Sequence, residues 1–594
     1  MQMKDNYILG IHGFSFKSKR AMHNSGVTLL KNGELIFAAD EERFTRKKNE
    51  GCFPIQSLNA MYEETGVKPL QIGSIAMPDK NSLWQLSMIL KYAAQVYFET
   101  GVFQNNYLLE SFKRLSEIRR VLPTELSKAK KFYVEHHLAH AASVYYTCPW
   151  QKSTIITIDG MGDFSMSGLT AVGNSGKIKV IDRLNGFYSP GLFYMIITEI
   201  LGFVSGRHEG KVTGLAAYGK YNAKLDSIFY DLIKYDREKG DFFSKYVAYE
   251  INDYISKKWV NGFNPEFGTN SFDEKIYEQQ KPFQLLTFRN QLNGYSKEDI
   301  AFAAQKRLEE IVTAHVNNTV KKTGIKNISL SGGVFANVKL NQRIRELDCV
   351  DNVFIYPAMN DSGLSVGSAL FVHHNEFGKE FIYPTKTSML LGKSTFDFEI
   401  ETLLIEKNIL FRKVENIEME IAKAISNGKI IAHFYGKSEY GPRALGNRSI
   451  LASPKDASIN GILNEKLKRT EFMPFAPVVL EEYASELFKD WTSHCLNSKF
   501  MTMCYSVTDK MKCLAPAVVH IDDTARPQVV SSRENQRLHS ILSHHFKITG
   551  IPVLINTSFN LHEEPIVNSA EDAIKILETN AVDILTLNNF WIEL

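Results

Sequence analysis

Residues 153–163 read STIITIDGMGD: the β-branched run Ile155–Ile158 leads into the acidic, glycine-rich segment Asp159-Gly160-Met161-Gly162-Asp163. A short apolar run closed by turn signals reads as a buried strand. A carboxylate just beyond such a strand lies where α/β proteins hold phosphates and metal-bound groups. Leu169–Val172 reads as the returning strand. The N-terminus opens in the same way. Tyr7–Ile11 is a short apolar strand, and Val27–Leu30 and Leu35–Ala39 are joined by Lys31-Asn32-Gly33-Glu34, where Asn-Gly is a strong hairpin signal. Two such openings, about 150 residues apart, suggest an internal duplication.

Further along, Ser296-Lys297-Glu298-Asp299 has the pattern of a capping box, and Ile300, Ala304, Leu308, Ile311 and His315 share one face of the helix that follows. Asn327–Leu330 is a strand running into Ser331-Gly332-Gly333, and Val353–Tyr356 runs into Asn360-Asp361-Ser362-Gly363. Residues 222–295 are polar, aromatic and irregular in period, as an insertion or helical excursion would be. The pattern loosens again around 376–400, which divides the chain into expected domains 1–380 and 381–594. The second has strands at Lys429–Tyr435, Val553–Ile555 and Ile584–Leu587. Its loop Gly436–Ser449, GKSEYGPRALGNRS, is rich in Gly and Arg.

The chain has 594 residues, which calls for more than one core. Hydrophobic residues make up 44% and charged residues 23%, a globular balance that excludes collagen, coiled coil and bulk disorder. A net charge of +3 gives no electrostatic case for nucleic acid or membrane as the main partner. The six cysteines contain no CxxC pair, as expected of a reducing compartment. The N-terminus has no apolar leader pattern and no run reaches membrane-spanning length, so a cytoplasmic location is expected.

Three constellations carry chemistry. In Glu135-His136-His137-Leu138-Ala139-His140, His136 and His140 stand four apart and share a helix face, as two metal ligands must. His137 and His140, three apart, offer a second pairing, and such pairs also arise by chance. Asp159 and Asp361 each follow an apolar strand; two imidazoles with one or two carboxylates suit a catalytic Fe, Mn or Zn site. Asp159 and Asp163 also read as turn residues or helix caps. The second constellation is the set of glycine turns DGMGD (159–163), SGG (331–333) and DSG (361–363), whose amides can approach phosphate closely. Together with the duplication they resemble an actin/hexokinase-like nucleotide fold. In the third, Lys437, Arg443 and Arg448 cluster in the GPRALGNRS loop, where guanidinium forks match phosphate or carboxylate. Lys466, Lys468, Arg469 and Arg526 add further positive charge, the last in His520–Gln528, HIDDTARPQ. Asn556–Asn560, NTSFN, follows a strand.

The motifs HHLAHA, DGMGD, GKVTGLAAYG, SGGVFAN, YGPRALGNRSIL, PFAP, HIDDTARPQ and INTSFNLHEEPIV occur in this order along nearly the whole chain. The sequence resembles the NodU/CmcH O-carbamoyltransferase family. The resemblance implies an α/β fold with two parts: a duplicated actin/hexokinase-like N-terminal domain, and a C-terminal α/β domain similar to threonylcarbamoyl-adenylate synthase. It implies that the C-terminal domain makes carbamoyl-adenylate from carbamoyl phosphate and ATP, with Mg2+ accompanying the nucleotide. The N-terminal domain then passes the carbamoyl group to a hydroxyl of a small molecule or sugar. Carried over by motif, His136, His140, Asp159 and Asp361 hold Fe2+ or another divalent metal, and Lys211, Gly332, Gly333 and Asn337 contact nucleotide. Arg443, Arg448, Arg526, Lys437, Ser558 and Asn560 handle phosphate and ATP, and His23 is a base or orienter for the acceptor hydroxyl. A homodimer is allowed for.

Three departures stand out. Asn24 replaces the aspartate expected after His23, Met473 replaces an arginine, and Lys437 keeps a charge without the guanidinium fork. Two other readings compete: a threonylcarbamoyl-type tRNA-modifying enzyme, which the low net charge opposes, and a non-catalytic ATP-binding assembly protein.

Overall fold

The computed structural model describes residues 6–13, 15–16, 23–78, 82–119, 122–248, 286–377, 388–469 and 474–593. It is a mixed α/β structure of two compact units: Met1–Glu41 with Asn49–Thr387, and Glu42–Lys48 with Ser388–Leu594. The expected boundary at 380/381, and Met473, lie outside the described residues.

Unit 1 contains two five-stranded sheets. In the first, β1 (Tyr7–His12), β2 (Gly26–Lys31), β3 (Glu34–Asp40), β4 (Ile72–Met77) and β5 (Lys130–Tyr133) are ordered β3-β2-β1-β4-β5. The β2–β3 turn forms where Asn-Gly predicts it, with Asn32 and Gly33 both at positive φ. In the second, β6 (Lys152–Gly162), β7 (Met166–Asn174), β8 (Lys177–Asn185), β9 (Asn327–Ser331) and β10 (Asn352–Ile355) are ordered β8-β7-β6-β9-β10. Strand order and sense coincide in the two sheets. The first three strands pair antiparallel, and the last two join the central strand in parallel.

One expectation is corrected here. DGMGD is not a turn after a strand: β6 continues through Gly162, which pairs with Met166, and its register shifts between Ile158 and Gly162. The reversal falls at Asp163 and Phe164, both at positive φ. Pairing with β7 therefore overrides the local glycine signal.

Six helices of unit 1 bear on the site: α1 (Ser82–Thr100), α2 (His136–Tyr145), α3 (Glu209–Ala216), α4 (Lys297–Thr323), α5 (Val338–Arg345) and α6 (Leu364–Glu376). The Ser296 hydroxyl caps α4 by accepting from the Asp299 amide at 3.1 Å, as the sequence predicts. The segment 222–295 supplies a helix, Ala223–Leu232, and a small hairpin, Lys234–Asp236 with Asp241–Phe243, before the described residues break at 248. Helix α6 packs on the first sheet and α2 on the second, and the two helices pack on each other, giving a sheet–helix–helix–sheet sandwich. Close approach depends on glycine. A Cβ at Gly367 of α6 would collide with the Ala139 carbonyl of α2, and one at Gly10 of β1 with the Ser365 carbonyl.

Unit 2 is built on an eight-stranded mixed sheet. Its strands are β11 (Arg412–Lys413), β12 (Ile431–Phe434), β13 (Arg448–Ala452), β14 (Ala476–Leu480), β15 (Gln528–Val530), β16 (Val553–Ser558), β17 (Ile584–Leu587) and β18 (Phe590–Ile592). They are ordered β11-β18-β17-β12-β13-β16-β14-β15. Helices α7 (Ile417–Ser426) and α8 (Gln536–Thr549) cover one face. Ile417, Ile421 and Ile425 repeat every four residues along α7, and Leu538, Ile541 and Leu542 do so at helical spacing along α8. They bury against Ile431, Leu451, Val478, Leu554 and Ile584. Each such side chain contributes roughly 1.5–3 kcal/mol. Asn556–Ser558, read from sequence as lying beyond a strand, belong to β16.

Gly367→Ala should lower the first thermal unfolding transition by several degrees, because overpacking a close helix contact costs ~1–3 kcal/mol. Differential scanning calorimetry measures it; an unshifted transition would mean that α2 and α6 separate at no cost.

Candidate functional site

Helix α2 begins with the amide of His136 donating to Asp163 Oδ2 at 2.8 Å, and Gln85 of α1 donates to Asp163 Oδ1 at 3.0 Å. Asp163 thus caps α2 from the β6–β7 turn, one of the two roles the sequence left open. Four residues of helix bring His140 beneath His136. Their Nε2 atoms meet Asp361, in the turn Asp361–Gly363 ahead of α6, at 3.6 and 3.5 Å. His140 Nε2 also lies 3.2 Å from Asp159 Oδ2 on β6. One ligand atom from each of His136, His140, Asp159 and Asp361 falls within 4.8 Å of all the others. His137 does not join them: its Nε2 donates to the Met166 carbonyl at 2.9 Å, turning the ring toward β7.

Burial sets the charges. Burial drives the His136 imidazole well below its ordinary pKa, and Asp361 only partly opposes it. Burial also works against a charged His140, but the carboxylates of Asp159 and Asp361 outweigh it and raise that imidazole to about 9. Burial tends to raise Asp361; the surrounding imidazoles of His23, His136 and His140 win and hold it well below the carboxylate range. His136 Nε2, His140 Nε2 and Asp159 Oδ2 are buried without hydrogen-bond partners. Buried polar atoms seldom go unpaired, and two imidazole nitrogens with two carboxylates are a donor set for a divalent metal. The residues fit such an ion.

His23 lies at the edge of this cluster. Its Nδ1 is 2.9 Å from Asn24 Oδ1 and 3.4 Å from Asp361 Oδ2, with 67% of the side chain exposed. Asn24 sits at φ 56°, a conformation asparagine tolerates. Gly332 takes φ 104°, and a side chain at Gly333 would press on the Asp159 carboxylate. Asn337 caps α5, its Oδ1 accepting from the Leu340 amide at 3.0 Å, while its Nδ2 donates to Gln305 at 2.8 Å. Both ends of that amide are therefore engaged. Tyr194 bonds the same Gln305 at 2.7 Å and Thr213 at 3.1 Å, linking Asn337 to α3, where Lys211 is buried.

In unit 2 the loop between β12 and β13 is organised from inside. Glu439 Oε1 accepts from three amides, Leu445 at 2.8, Asn447 at 2.8 and Arg448 at 3.0 Å. Arg448 is fully buried, and its guanidinium lies 3.5 Å from the centre of the Phe434 ring. It donates to the carbonyls of Tyr435 and Asn447 at 2.8 and 2.9 Å and of Gly436 at 3.0 Å. Arg43, carried into this unit by Glu42–Lys48, donates to the Gly441 carbonyl, and Arg46 donates to those of Pro565 and Ile566. Gln528 and Asn556 tether the loop to β15 and β16: Gln528 donates to Leu445 O at 2.8 Å and accepts from Asn556 at 2.6 Å. Lys437, Arg443 and Arg526 remain half-buried on this assembly. Arg469 reaches Ser558 and Asn560, donating to Ser558 O at 2.8 Å and Asn560 Oδ1 at 2.7 Å.

Two family models match this chain, Carbamoyltransferase N-terminus over residues 8–370 and Carbamoyltransferase C-terminus over 422–594. The chain belongs to the carbamoyltransferase family. An uncharacterized protein of Methanocaldococcus jannaschii is 32% identical over 96% of this chain and 98% of its own length. Nodulation protein NolNO of Sinorhizobium fredii is 31% identical over 96% of this chain and 79% of its own. Nodulation protein U of Rhizobium tropici is 32% identical over 91% of this chain and 90% of its own. Component A of (R)-2-hydroxyglutaryl-CoA dehydratase from Acidaminococcus fermentans, a solved structure, aligns over 63% of this chain and all of its own at 14% identity. Its TM-score of 0.31 is too low to carry an argument.

In this carbamoyltransferase Arg448, expected from the sequence to handle phosphate, is fully buried, and its terminal nitrogens donate to three carbonyls of the loop that carries Arg443. Sequence reasoning passed over Glu439, although one acid among the basic residues of GKSEYGPRALGNRS was a visible signal. It also passed over His12 and Gln85, which nothing local distinguishes.

Asp361→Asn keeps the shape and the capping capacity of the side chain but loses its charge. Metal analysis by plasma mass spectrometry should show occupancy reduced at least ~10-fold, as ligand-sphere losses typically do. Full occupancy and turnover in the variant would leave Asp361 a turn residue.

Proposed function

We propose that this carbamoyltransferase is an ATP-dependent O-carbamoyltransferase acting on a hydroxyl of a small molecule or sugar. What carries the reading is the convergence of His136, His140, Asp159 and Asp361, three of their atoms buried without a hydrogen bond, in the half of the chain that matches the family's N-terminal model. The coincident order and sense of the two five-stranded sheets support a duplicated, actin/hexokinase-like transfer domain. Residues 388–594, with Glu42–Lys48, are then the adenylate-forming part.

Carbamate is a poor electrophile, because resonance and charge protect its carbon. Attaching it to AMP supplies a leaving group. By atom balance, carbamoyl phosphate and water give carbamate and phosphate. Carbamate then attacks the α-phosphorus of ATP, giving carbamoyl-adenylate and pyrophosphate. Lys437, Arg443 and Arg526 supply the positive charge that triphosphate and carbamoyl phosphate require. Glu439 fills the amide cradle of the loop with its own carboxylate, so those amides are not the groups that meet the substrate anions. Arg469 steadies the Ser558–Asn560 segment beside them.

In the transfer step Gly332 and Gly333 admit the nucleotide close to Asp159, with Lys211 and the turn capped by Asn337 alongside. A divalent ion, iron by the family resemblance, would be held by His136, His140, Asp159 and Asp361 and would supply Lewis acidity. The proton on His23 Nδ1 is held by Asn24 Oδ1 and faces Asp361, which leaves Nε2 as the base. The acceptor oxygen attacks the carbamoyl carbon, its proton passes to His23 Nε2, and the bond to AMP breaks with its electron pair leaving on AMP. The exposure of His23 lets an acceptor reach it. Asn24, in place of aspartate, keeps the accepting oxygen, and Asp361 provides the negative charge.

Arg443→Ala or Arg526→Ala should slow pyrophosphate release dependent on carbamoyl phosphate by ~10-fold or more, since a charge-assisted contact is worth ~1.5–3 kcal/mol. His136→Ala should leave pyrophosphate release intact and stop product formation. Chemically made carbamoyl-adenylate should rescue the arginine variants and not His136→Ala. Rescue of His136→Ala would overturn this division of roles.

Mass spectrometry of candidate hydroxyl compounds incubated with enzyme, ATP and carbamoyl phosphate identifies the acceptor by a gain of ~43 daltons, as transfer of a carbamoyl group requires. The absence of that gain across sugars and small alcohols, with adenylate still forming, would remove the hydroxyl-acceptor reading.

A further inference from the structure

His23 belongs to no strand. It stands three residues before β2 begins at Gly26, with its side chain largely exposed. A base must nevertheless be held to a fraction of an ångström, because a misplacement of about 1 Å can cost ~100-fold in rate. Asn24 and Asp361 steer the ring through Nδ1. The backbone that carries the ring needs a separate anchor.

That anchor comes from β1. His12, the last residue of the strand, is fully buried, and its Nε2 lies 3.0 Å from the His23 carbonyl oxygen. A carbonyl only accepts, so Nε2 carries a proton and donates it. The remaining ring nitrogen, Nδ1, is buried without a hydrogen-bond partner. Burial lowers this imidazole to about 4, so near neutral pH it is an uncharged, single-donor ring. Its backbone is rigid: His12 pairs with Gly26 of β2, and two residues earlier Gly10 pairs with Ala76 of β4. Gly13, at φ 124° and packed against Ser25 and Cys52, takes the chain away directly after it. A leucine or phenylalanine would fill this place without leaving a polar atom unpaired. Packing therefore does not account for histidine here, whereas donation to the His23 carbonyl does.

We propose that His12 is a positioning residue for carbamoyl transfer: by donating to the His23 carbonyl, it ties the loop carrying the base to the central strand and holds the imidazole between Asp361 and the acceptor hydroxyl. The inference rests on the reading of His23 as the base of the transfer step. Its reach is confined to that step, because His12 belongs to unit 1 and the arginine loop to unit 2.

The test uses the full-length, metal-loaded enzyme with His12→Phe, which keeps a buried ring and removes the donor, and His12→Gln, whose amide restores a donor at similar reach. Two readouts apply. The first is AMP release from chemically made carbamoyl-adenylate with glycerol as the hydroxyl probe. The second is the 13Cε1–1H resonance of the His23 imidazole, assigned by its loss in His23→Ala. His12→Phe should lower kcat for AMP release by ~10-fold or more, with KM for carbamoyl-adenylate, metal content and pyrophosphate release unchanged. It should also split or broaden the His23 resonance. His12→Gln should recover most of the rate and a single resonance. A His12→Phe enzyme with wild-type resonance would overturn the proposal whatever the rate. So would equal losses in the Phe and Gln variants, which would mean packing alone. Wild-type AMP release by His23→Ala would instead remove His23 as base, while the resonance would still report whether His12 holds the loop.

Discussion

The close approach of α2 and α6 is the constraint on which the N-terminal site depends. Gly367 presents bare backbone to the Ala139 carbonyl. Ala139 lies between His136 and His140, and Gly367 follows Asp361 by six residues. The contact between the helices therefore sets how far the two imidazoles stand from that carboxylate. Gly10, against Ser365, presses α6 onto the first sheet, so the spacing is fixed from behind as well. In the sheet–helix–helix–sheet sandwich His136, His140 and Asp361 are buried and Asp159 partly so, and burial strengthens the interactions among these imidazoles and carboxylates. Burial therefore depresses His136, while the two carboxylates raise His140 and the imidazoles of His23, His136 and His140 depress Asp361. A low-dielectric cluster of this kind is costly unless something with matching charge completes it.

In unit 2 positive charge is organised by internal counterweights. Glu439 gathers three amides of the Arg443 loop, and Arg448 holds three carbonyls of the same segment. Burial brings the Arg448 guanidinium down to about 10, with Glu439 opposing that shift and Arg43 adding to it. One acid and one base thus occupy the backbone groups that an irregular loop would otherwise leave unsatisfied. The loop that carries Lys437 and Arg443 is ordered by hydrogen bonds from within its own segment.

Much of this was legible in one dimension. The four-residue spacing of His136 and His140 is a helix period, so sequence alone placed both on one face. The run Ile155–Ile158 announced a buried strand with Asp159 at its end, and Asn32-Gly33 announced a hairpin, because both signals depend on φ/ψ preferences of adjacent residues. The motif order YGPRALGNRSIL to INTSFNLHEEPIV pointed to the family that the comparisons establish.

Tertiary structure decided whatever depends on partners far along the chain. DGMGD carries every local mark of a turn, yet pairing with β7 keeps it in strand as far as Gly162. Arg443 and Arg448 look equivalent in sequence; the stacking of Arg448 on Phe434 and its bonds to Tyr435 and Gly436 remove it from solvent. His137 and His140 offered a pair at helical spacing until the carbonyl of Met166 claimed His137. His12 reads as the end of an apolar strand, and only the return of the chain at His23 gives its ring a task. Sequence determined which residues could act, because spacing and residue chemistry are local. The fold determined which of them come together, because burial and hydrogen-bond partnership are settled by residues tens to hundreds of positions away.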